Sequence, residues 1–435
     1  MAVEGWGGVG QSGGMMRLLV SMVLLGGLVW FLEGERRGGR FLAVDEGFED
    51  FLIANVRGRF VPKGGDELVL VEMREGQSGE YGAWPPEPID WRMVLEAVKG
   101  WEPEVLVVPE VLNWGTPGPE FVGAVGTVLG GFPSVVLGVE GMYEAKAPEA
   151  LPFLGGLESR FPKFGRVTGA TEAFQPPFLK GLVGAPDERV GVGSELGLWV
   201  PEEAGVLPYA VQVKSEGDEV EWVPSLVAQV VSRAARSPYS RQRLRLGAGA
   251  GAHLEGGVFV PLTAAGGVEV AEEVVAGLRV VNALDLMTGT LAETLDAETV
   301  AAVKAARVVV VGVSRGDGKA LRGLAGAMAG VLGMPVVKVL PLGWQYGIWG
   351  VAGVLALGIV QQGRRRALMK AVGLVFAAFV VSYLVFESEM VWCPPTIPAA
   401  LLLAGGVMGA VIGKRSVGTL GGEKGGDEGA GAGAN

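Results

Sequence analysis

The chain has 435 residues and a formal net charge of -11 at neutral pH. This length leaves room for one large or two small folded units beside any membrane segments. The negative charge argues against nucleic acid as a partner, since proteins that bind nucleic acid carry basic patches. The single cysteine, Cys393, excludes an intrachain disulfide, and the single histidine, His253, excludes a histidine-rich metal site. The sequence predicts neither a metal nor a cofactor.

The first apolar run of the chain, residues 15–32, follows a glycine-rich stub at residues 1–14 that is expected to be cytoplasmic and disordered. A run of this length can cross a bilayer as a helix, so it predicts a transmembrane anchor. The alternative is a cleaved signal peptide. Bulky Trp30, Phe31 and Leu32 stand where small residues would precede a cleavage site, which favours the anchor.

After the anchor, the sequence predicts an extracytoplasmic domain over residues 34–343, of mixed α/β class with a largely parallel sheet and flanking helices. Apolar runs rich in β-branched residues predict buried strands, and apolar positions at helical spacing predict helices between them. The strands fall at residues 68–71, 105–108 and 134–139, and the helices at residues 89–99, with Asp90 as N-cap, and 117–129. Strands and helices that alternate at this spacing form parallel sheets with right-handed crossovers.

The second half of the domain begins with a proline-rich stretch, residues 141–188, which we expect to be irregular and to cover the edge of the sheet. Short strands and helices follow, and residues 307–313 predict the most deeply buried strand of the chain. The remaining predicted strands lie at residues 189–192, 206–213, 219–222, 244–246 and 257–260, and the remaining helices at residues 224–236, 282–287, 297–306 and 319–332.

Three apolar runs, residues 344–360, 367–386 and 396–413, predict three further transmembrane helices. The link between the first two contains residues 364–366, all arginine, whereas the link between the last two carries glutamates and no basic residue. Short basic loops stay in the cytoplasm, so the main domain is expected outside it. Three arginines between residues 36 and 40 oppose this orientation, but long domains translocate largely regardless of charge.

The last segment, residues 416–435, is glycine-rich with few apolar side chains and predicts a disordered cytoplasmic tail. The tail shows no pattern of a kinase, cyclase, phosphatase or response domain. A signal received outside the cytoplasm would then have to pass to a partner in the membrane or in the cytoplasm.

This layout of one span, an α/β domain and three closely spaced spans resembles the CHASE2 family of bacterial extracytoplasmic sensor domains. Local matches support the resemblance, and they are an opening helix at residues 48–58 that ends in Arg-Gly, a Trp-Pro turn at Trp84, a Pro-Ser-Leu segment at residues 224–226 and a valine-rich last strand at residues 307–312. The resemblance implies a periplasmic sensor domain in the bacterial inner membrane that binds an extracytoplasmic ligand and takes part in signal transduction.

The chain departs from the family at its acidic positions. Aspartates often close the family's first strand and follow its second, and Glu72 and Glu110 stand at those places here. The aspartate-rich stretch after the family's last strand is reduced to Asp317. These changes bear on any ligand or metal role at the three points.

The place of a ligand site follows from the expected sheet. Open parallel sheets bind ligands beyond the carboxyl ends of their strands. Those ends fall at residues 72–75, 109–113 and 314–317. The candidate ligand-binding residues are therefore Trp84, Glu110, Arg315 and Asp317. The competing interpretation is that these residues only cap loops.

Other motifs are weaker. Residues 312–319 are one residue too long for a phosphate-binding loop and lack its magnesium-binding hydroxyl, and residues 191–197 miss a dinucleotide fingerprint by one residue. The five arginines between residues 233 and 245 could receive an anionic ligand or lipid headgroup, but they favour a solvated helix end followed by a charged edge strand. His253 is expected in an exposed loop.

The sequence thus favours a membrane-anchored extracytoplasmic sensor or ligand-binding protein that is not an enzyme. Its expected partners are an unknown extracytoplasmic small molecule or protein, a membrane or cytoplasmic signalling partner and the lipid bilayer, and a homodimer is compatible with the layout. One alternative is a structural or scaffolding membrane protein without a ligand. Another, less favoured, is an extracytoplasmic hydrolase built on His253 and a serine such as Ser314, although no nucleophile elbow occurs.

Overall fold

The computed structural model describes residues 11–37, 42–62, 66–81, 83–115, 118–144, 161–171, 173–200, 205–214, 220–362 and 364–412. The chain divides into two compact units, one formed by Ala54–Val337 and the other by Met1–Ile53 together with Lys338–Asn435. The predicted tail at residues 416–435 and most of the predicted stub at residues 1–14 lie outside the described residues.

The strands and helices alternate through the larger unit, and long helices dominate the other. The strands are β1 Leu68–Arg74, β2 Val105–Val108, β3 Val135–Glu144, β4 Arg166–Thr168, β5 Phe178–Gly184, β6 Glu195–Trp199, β7 Val206–Pro208, β8 Ala210–Lys214, β9 Val220–Pro224, β10 Arg243–Arg245, β11 Gly251–His253, β12 Phe259–Pro261, β13 Gly267–Glu269, β14 Arg279–Asn282, β15 Val308–Ser314, β16 Lys338–Val339 and β17 Val391–Trp392. The helices are α1 Gln11–Arg37, α2 Leu42–Val56, α3 Pro88–Lys99, α4 Pro119–Leu129, α5 Glu188–Gly191, α6 Leu226–Ala234, α7 Glu272–Ala276, α8 Ala283–Met287, α9 Leu291–Thr294, α10 Ala297–Lys304, α11 Lys319–Leu332, α12 Leu342–Val360, α13 Arg364–Glu389 and α14 Thr396–Ile412.

The main sheet of the larger unit has the strand order β14-β1-β15-β2-β3-β5-β8-β9, with β6 also paired to β3. β14, β1, β15, β2, β3 and β6 run parallel to one another. β5 runs antiparallel to β3, and β9 antiparallel to β8. The prediction of a mixed α/β domain with a largely parallel sheet and flanking helices is therefore confirmed.

Helices cover both faces of this sheet. Alternate residues of a strand point to opposite sides, so each central strand contributes apolar side chains to both faces. Val71, Val108 and Val311 pack with α3 and α4 in one apolar cluster. Leu70, Val107 and the strand residues in register with them pack with α6 and α11 in a second cluster. Strands buried on both faces read as continuous apolar runs, which is why sequence alone locates β1, β2 and β15.

The amino ends of the central strands are held together by Arg307, which precedes β15. Its guanidinium donates to the Glu67 carboxylate at 2.8 Å, to Glu104 at 3.0 Å and to the backbone oxygen of Ala234 at 2.9 Å. Hydrogen bonds from Arg307 lower the pKa of Glu104 despite partial desolvation. The charged groups at this end of the sheet neutralise one another within the protein.

Several local predictions need correction. The stretch expected to be irregular and to cover the sheet edge, residues 141–188, contains β5, which lies within the main sheet between β3 and β8. Residues 145–160 of this stretch lie outside the described residues. The arginines of β10 are not on an edge strand, since β10 lies between β4 and β11 in a separate four-stranded sheet. His253 lies in β11 and is half-buried, with its ring centroid 4.9 Å from that of Phe259. The N-cap of α3 is Glu87, and the Asp90 carboxylate accepts from the Glu87 backbone N–H at 3.0 Å.

The smaller unit contains the apolar helices. Two helices among the described residues are long and apolar enough to cross a membrane, namely Leu342–Val360 and Arg365–Glu389. The third predicted C-terminal span is a shorter apolar helix, Thr396–Val411, and the predicted N-terminal span lies within α1. Length and apolarity therefore single out two of the four predicted spans.

Glycines on α14 allow this helix to pack closely on its neighbours. A Cβ added at Gly405 would lie 2.8 Å from Ala356 of α12, and one added at Gly406 would lie 2.5 Å from Ala371 of α13. Contacts of this kind between small residues are typical of helices packed within membranes. On α13, Met369 and Phe376 are largely exposed at the surface of the unit.

Two glycines of α4 provide a test of the packing of the larger unit. A Cβ at Gly126 would lie 2.2 Å from the backbone oxygen of Arg189, whereas nothing lies within 4 Å of one at Gly123. Gly126→Ala should lower the free energy of unfolding by about 1–3 kcal/mol, because the backbone must shift to admit the methyl group. Gly123→Ala should raise it by about 0.5–1 kcal/mol through helix propensity.

Thermal unfolding of the full chain in detergent measures both changes. Equal effects of the two substitutions, or a stabilising Gly126→Ala, would show that α4 and the segment around Arg189 do not approach as described.

Candidate functional site

The candidate site lies at the carboxyl ends of β2 and β15. These strands are adjacent and parallel, with Val107 opposite Val310. The chain after β2 leads to α4 on one face of the sheet, and the chain after β15 leads to α11 on the other face. Divergence of this kind opens a crevice at the carboxyl ends of the strands, which is where open α/β sheets bind ligands.

A pocket of about 350 Å³ occupies this position. Its volume lies within the range of small-molecule sites, about 300–1,000 Å³. Tryptophans and prolines form much of its wall, and two glutamates, an asparagine and an arginine supply polar groups. The lining residues are Pro85, Pro86, Trp91, Pro109, Glu110, Val111, Leu112, Asn113, Trp114, Glu140, Trp199, Val313, Arg315, Gly318, Ala320 and Leu321.

Glu110 connects the two strands that define the crevice. The backbone N–H of Val313 donates to Glu110 Oε1 at 2.5 Å, so the carboxyl serves β15 as an acceptor beyond the last residue that pairs with β2. The other oxygen, Oε2, is buried and has no hydrogen-bond partner among the described residues. A buried acceptor without a donor costs about 1–3 kcal/mol, and among the residues that line the pocket Glu110 Oε2 is the one buried side-chain atom in this condition.

Burial raises the pKa of Glu110 to about 7, while hydrogen bonds from backbone N–H groups, including that of Val313, and the charge of Arg315 act in the opposite direction. Desolvation favours the neutral form of a carboxyl because the charged form loses its hydration. The carboxyl of Glu110 therefore changes its charge close to neutral pH.

Two further charged residues line the pocket without neutralising each other. Arg315 is exposed, and its side chain has no ion-pair partner within 4.0 Å in the part of the chain that the structure describes. Glu140, the other pocket carboxylate, is exposed, and its charge contributes, after burial, to the raised pKa of Tyr143. The pocket thus presents one cationic and two carboxyl side chains.

Glu72, on the neighbouring strand β1, is a buried carboxylate whose two oxygens both accept hydrogen bonds from arginines. It is fully buried at the end of β1, where Arg322 of α11 donates to its two oxygens at 2.6 and 2.9 Å and Arg74 donates at 3.0 Å. Burial raises its pKa, but these arginines outweigh burial and the net shift is downward. Glu72 is a paired structural group, unlike Glu110.

Of the four candidate ligand-binding residues, two line the pocket and two do not. Glu110 and Arg315 line the same pocket. Trp84 adjoins it through Pro85 and packs against Tyr81, with ring centroids 5.7 Å apart. Asp317 lies outside the lining, and its carboxylate accepts from the Lys319 backbone N–H at 3.1 Å and pairs with the Lys319 ammonium at 2.8 Å.

Sequence reasoning did not single out Trp91, Glu140 or Trp199 as pocket residues. Trp91 has the pattern of a core residue of α3, and it is only 2% exposed. Trp199 reaches the site because β6 pairs with β3, where Glu140 lies opposite it. No local signal in the sequence reveals that pairing.

The remaining candidates for chemistry do not meet at one site. Ser314 is buried at the end of β15, whereas His253 belongs to β11 of the separate four-stranded sheet. Within the described ranges, no group of three or more His, Cys, Asp or Glu side chains could hold a metal ion. The loop that resembles a phosphate-binding loop has Gly316 and Gly318 in left-handed conformations, and Gly318 is the N-cap of α11.

Comparison of the chain with protein-family models, with curated proteins and with solved structures finds no match. In the larger unit, the pocket between β2 and β15 is the candidate site for a ligand. In the smaller unit, the apolar helices α12 and α13 are candidates for membrane contact.

Substitution of Glu110 tests its protonation. An exposed glutamate has a pKa of about 4.3, and the higher pKa in the folded protein means that the folded state binds the proton more tightly. The contribution of Glu110 to stability is therefore complete below pH 4 and is lost as the pH rises through 7. Glu110→Gln keeps an acceptor for Val313 and should be more stable than the wild type at pH 8 by roughly 1–3 kcal/mol.

Melting temperatures of the full chain between pH 5 and pH 8.5 measure this difference. Arg315 and Glu140, the other charged groups in the pocket, are present in both proteins. Glu273→Gln, at an exposed position of α7, serves as the control and should follow the wild-type profile. Parallel profiles for Glu110→Gln and the wild type would contradict the raised pKa.

Proposed function

We propose that this chain is a membrane-anchored, extracytoplasmic ligand-binding protein of CHASE2 type, with a sensory rather than a catalytic role. The α/β unit binds a small molecule in the pocket between β2 and β15, and the apolar helices hold it at the membrane. Ligand binding is signalled to a partner protein in the membrane or in the cytoplasm. The observation that carries this proposal is the pocket at the carboxyl ends of the parallel strands.

The lining of that pocket supports binding. Ligand sites are concave and mostly apolar, with a small number of polar groups that fix the orientation of the ligand. Here Trp114 and Trp199 provide large apolar surfaces beside Glu110 and Arg315. The side chain of Trp114 is itself held in place, since its Nε1–H donates to the backbone oxygen of Pro86 at 3.3 Å.

Membrane attachment is supported by α12 and α13, whose length and composition suit a bilayer. Arginines at residues 364–366 follow the first of these helices, and Glu387 and Glu389 close the second. Because short basic loops stay in the cytoplasm, we place the α12–α13 link inside the cell and the α13–α14 link outside it. The full topology that we propose has four spans, with α1 and α14 as the other two.

Blocking the pocket tests the binding function. A screen of the full chain in lipid nanodiscs against a library of polar metabolites should reveal a ligand that raises the melting temperature. A ligand at 100 times its Kd stabilises the protein by about 2.7 kcal/mol. Ala320→Trp, at an exposed lining position, should abolish this shift because the indole fills the pocket.

The matched control is Ala301→Trp, an equally exposed alanine on α10 outside the pocket lining, which should leave the shift intact. A library without any stabilising ligand, or a shift that survives Ala320→Trp, would contradict the proposed function. The first result would favour a scaffolding role for the chain.

Labelling of introduced cysteines tests the topology. In a Cys393→Ser background, a cysteine at exposed Ser388, near the end of α13, should react with a membrane-impermeant maleimide applied to intact spheroplasts. A cysteine at exposed Gln361, after α12, should react only once the membrane is permeabilised. The reverse pattern, or equal labelling of both positions in intact cells, would contradict the orientation.

A further inference from the structure

The charges of the pocket define the chemistry of its ligand more closely. We infer that the pocket binds a zwitterion, and specifically an α-amino acid with an uncharged, apolar side chain; this inference rests on the proposed binding function. The observation behind it is that Arg315 and Glu110 line one pocket and yet form no ion pair with each other. A molecule with both charges can satisfy the two side chains at once.

The carboxylate of the ligand belongs at the side of the pocket formed by Arg315 and the start of α11. Ala320 and Leu321, both lining residues, lie in the first turn of this helix. Backbone N–H groups of a first turn have no acceptor within their own helix, and they carry partial positive charge. Arginine adds a planar pair of donors that matches a carboxylate.

The ammonium group belongs at the side formed by Glu110 and Glu140. Glu110 Oε2 has no donor among the described residues, and an ammonium group would supply one. This oxygen is covered by other atoms, so an ammonium group reaches it only when those atoms move aside. Tryptophan faces also attract cations, and Trp91, Trp114 and Trp199 line the same pocket.

Apart from Asn113, the rest of the lining is mostly apolar and suits an uncharged side chain. Pro85, Pro86, Leu112, Val313 and Leu321 offer no charged group to a ligand. A cavity of about 350 Å³ accommodates a molecule the size of an amino acid.

Other ligand classes fit the same charges less well. A purely anionic ligand, such as a phosphate ester, would face two carboxyl groups with one arginine to bind it. A simple amine would leave Arg315 without a partner. A neutral sugar would offer no charged partner to Arg315, Glu110 or Glu140. The zwitterion alone among these classes pairs both signs.

Isothermal titration of the full chain in nanodiscs tests this inference with L-leucine and L-phenylalanine as probes. Each is compared with its N-acetyl derivative, which lacks the ammonium charge, and with its amide, which lacks the carboxylate. We expect binding of the free amino acids and at least a tenfold loss for both derivatives. Arg315→Gln and Glu110→Gln should each weaken binding by about tenfold to a hundredfold, since each removes a charge-assisted hydrogen bond.

Arg92→Gln provides the control, because Arg92 is exposed on α3 and pairs with Glu96 outside the pocket lining. Its affinity should equal that of the wild type. Equal binding of the N-acetyl derivative, or affinities unchanged by Arg315→Gln and Glu110→Gln, would overturn the inference. If a carboxylic acid or a sugar from the metabolite library binds instead and Ala320→Trp abolishes that binding, the amino-acid class is wrong while the proposed binding function stands. If nothing binds, both fail.

Discussion

The insertion of β15 between β1 and β2 is the constraint on which the larger unit depends. β15 is far from both of its neighbours in the chain, and the hydrogen bond between Val313 and Glu110 spans 203 residues. Strand pairing in this order brings the loops after β2 and β15 side by side and sends them to opposite faces of the sheet. The crevice between them is thus a product of strand order, and the side chains at residues 110 and 315 contribute charged groups to it.

Charged side chains are paired at the amino ends of the central strands but only partly paired at the carboxyl ends. At the amino ends, Arg307 neutralises Glu67 and Glu104. At the carboxyl ends, Glu72 is paired with Arg322, whereas in the part of the chain that the structure describes Glu110 Oε2 has no donor and exposed Arg315 has no ion-pair partner. Uncompensated buried polar atoms lower stability and are uncommon in folded proteins. Glu110 Oε2 is one such atom, and it belongs to a residue that lines the crevice, where a ligand could supply the missing donor.

Much of this fold could be predicted from the sequence, because strands buried on both faces are continuous apolar runs. β2 and α11 were located to the residue, and β1 and β15 to within a few residues. β5 and β14 were missed because each is only partly buried, so neither has such a run. The candidate site was predicted only in part. Glu110 and Arg315 follow recognisable strands, whereas Glu140 and Trp199 reach the pocket through the pairing of β3 with β6, which leaves no local signal.

The central position of β15 has a consequence for biogenesis. The chain emerges from its amino end, so β1 and β2 are complete some 200 residues before the strand that separates them. Until then each presents an unpaired edge, which is a hazard for aggregation. Sheets closed by such distant contacts fold slowly. A nascent or truncated chain that ends before Val308 lacks both the middle of the sheet and one wall of the pocket. The pocket is therefore complete only late in synthesis, just before α12, α13 and α14 follow.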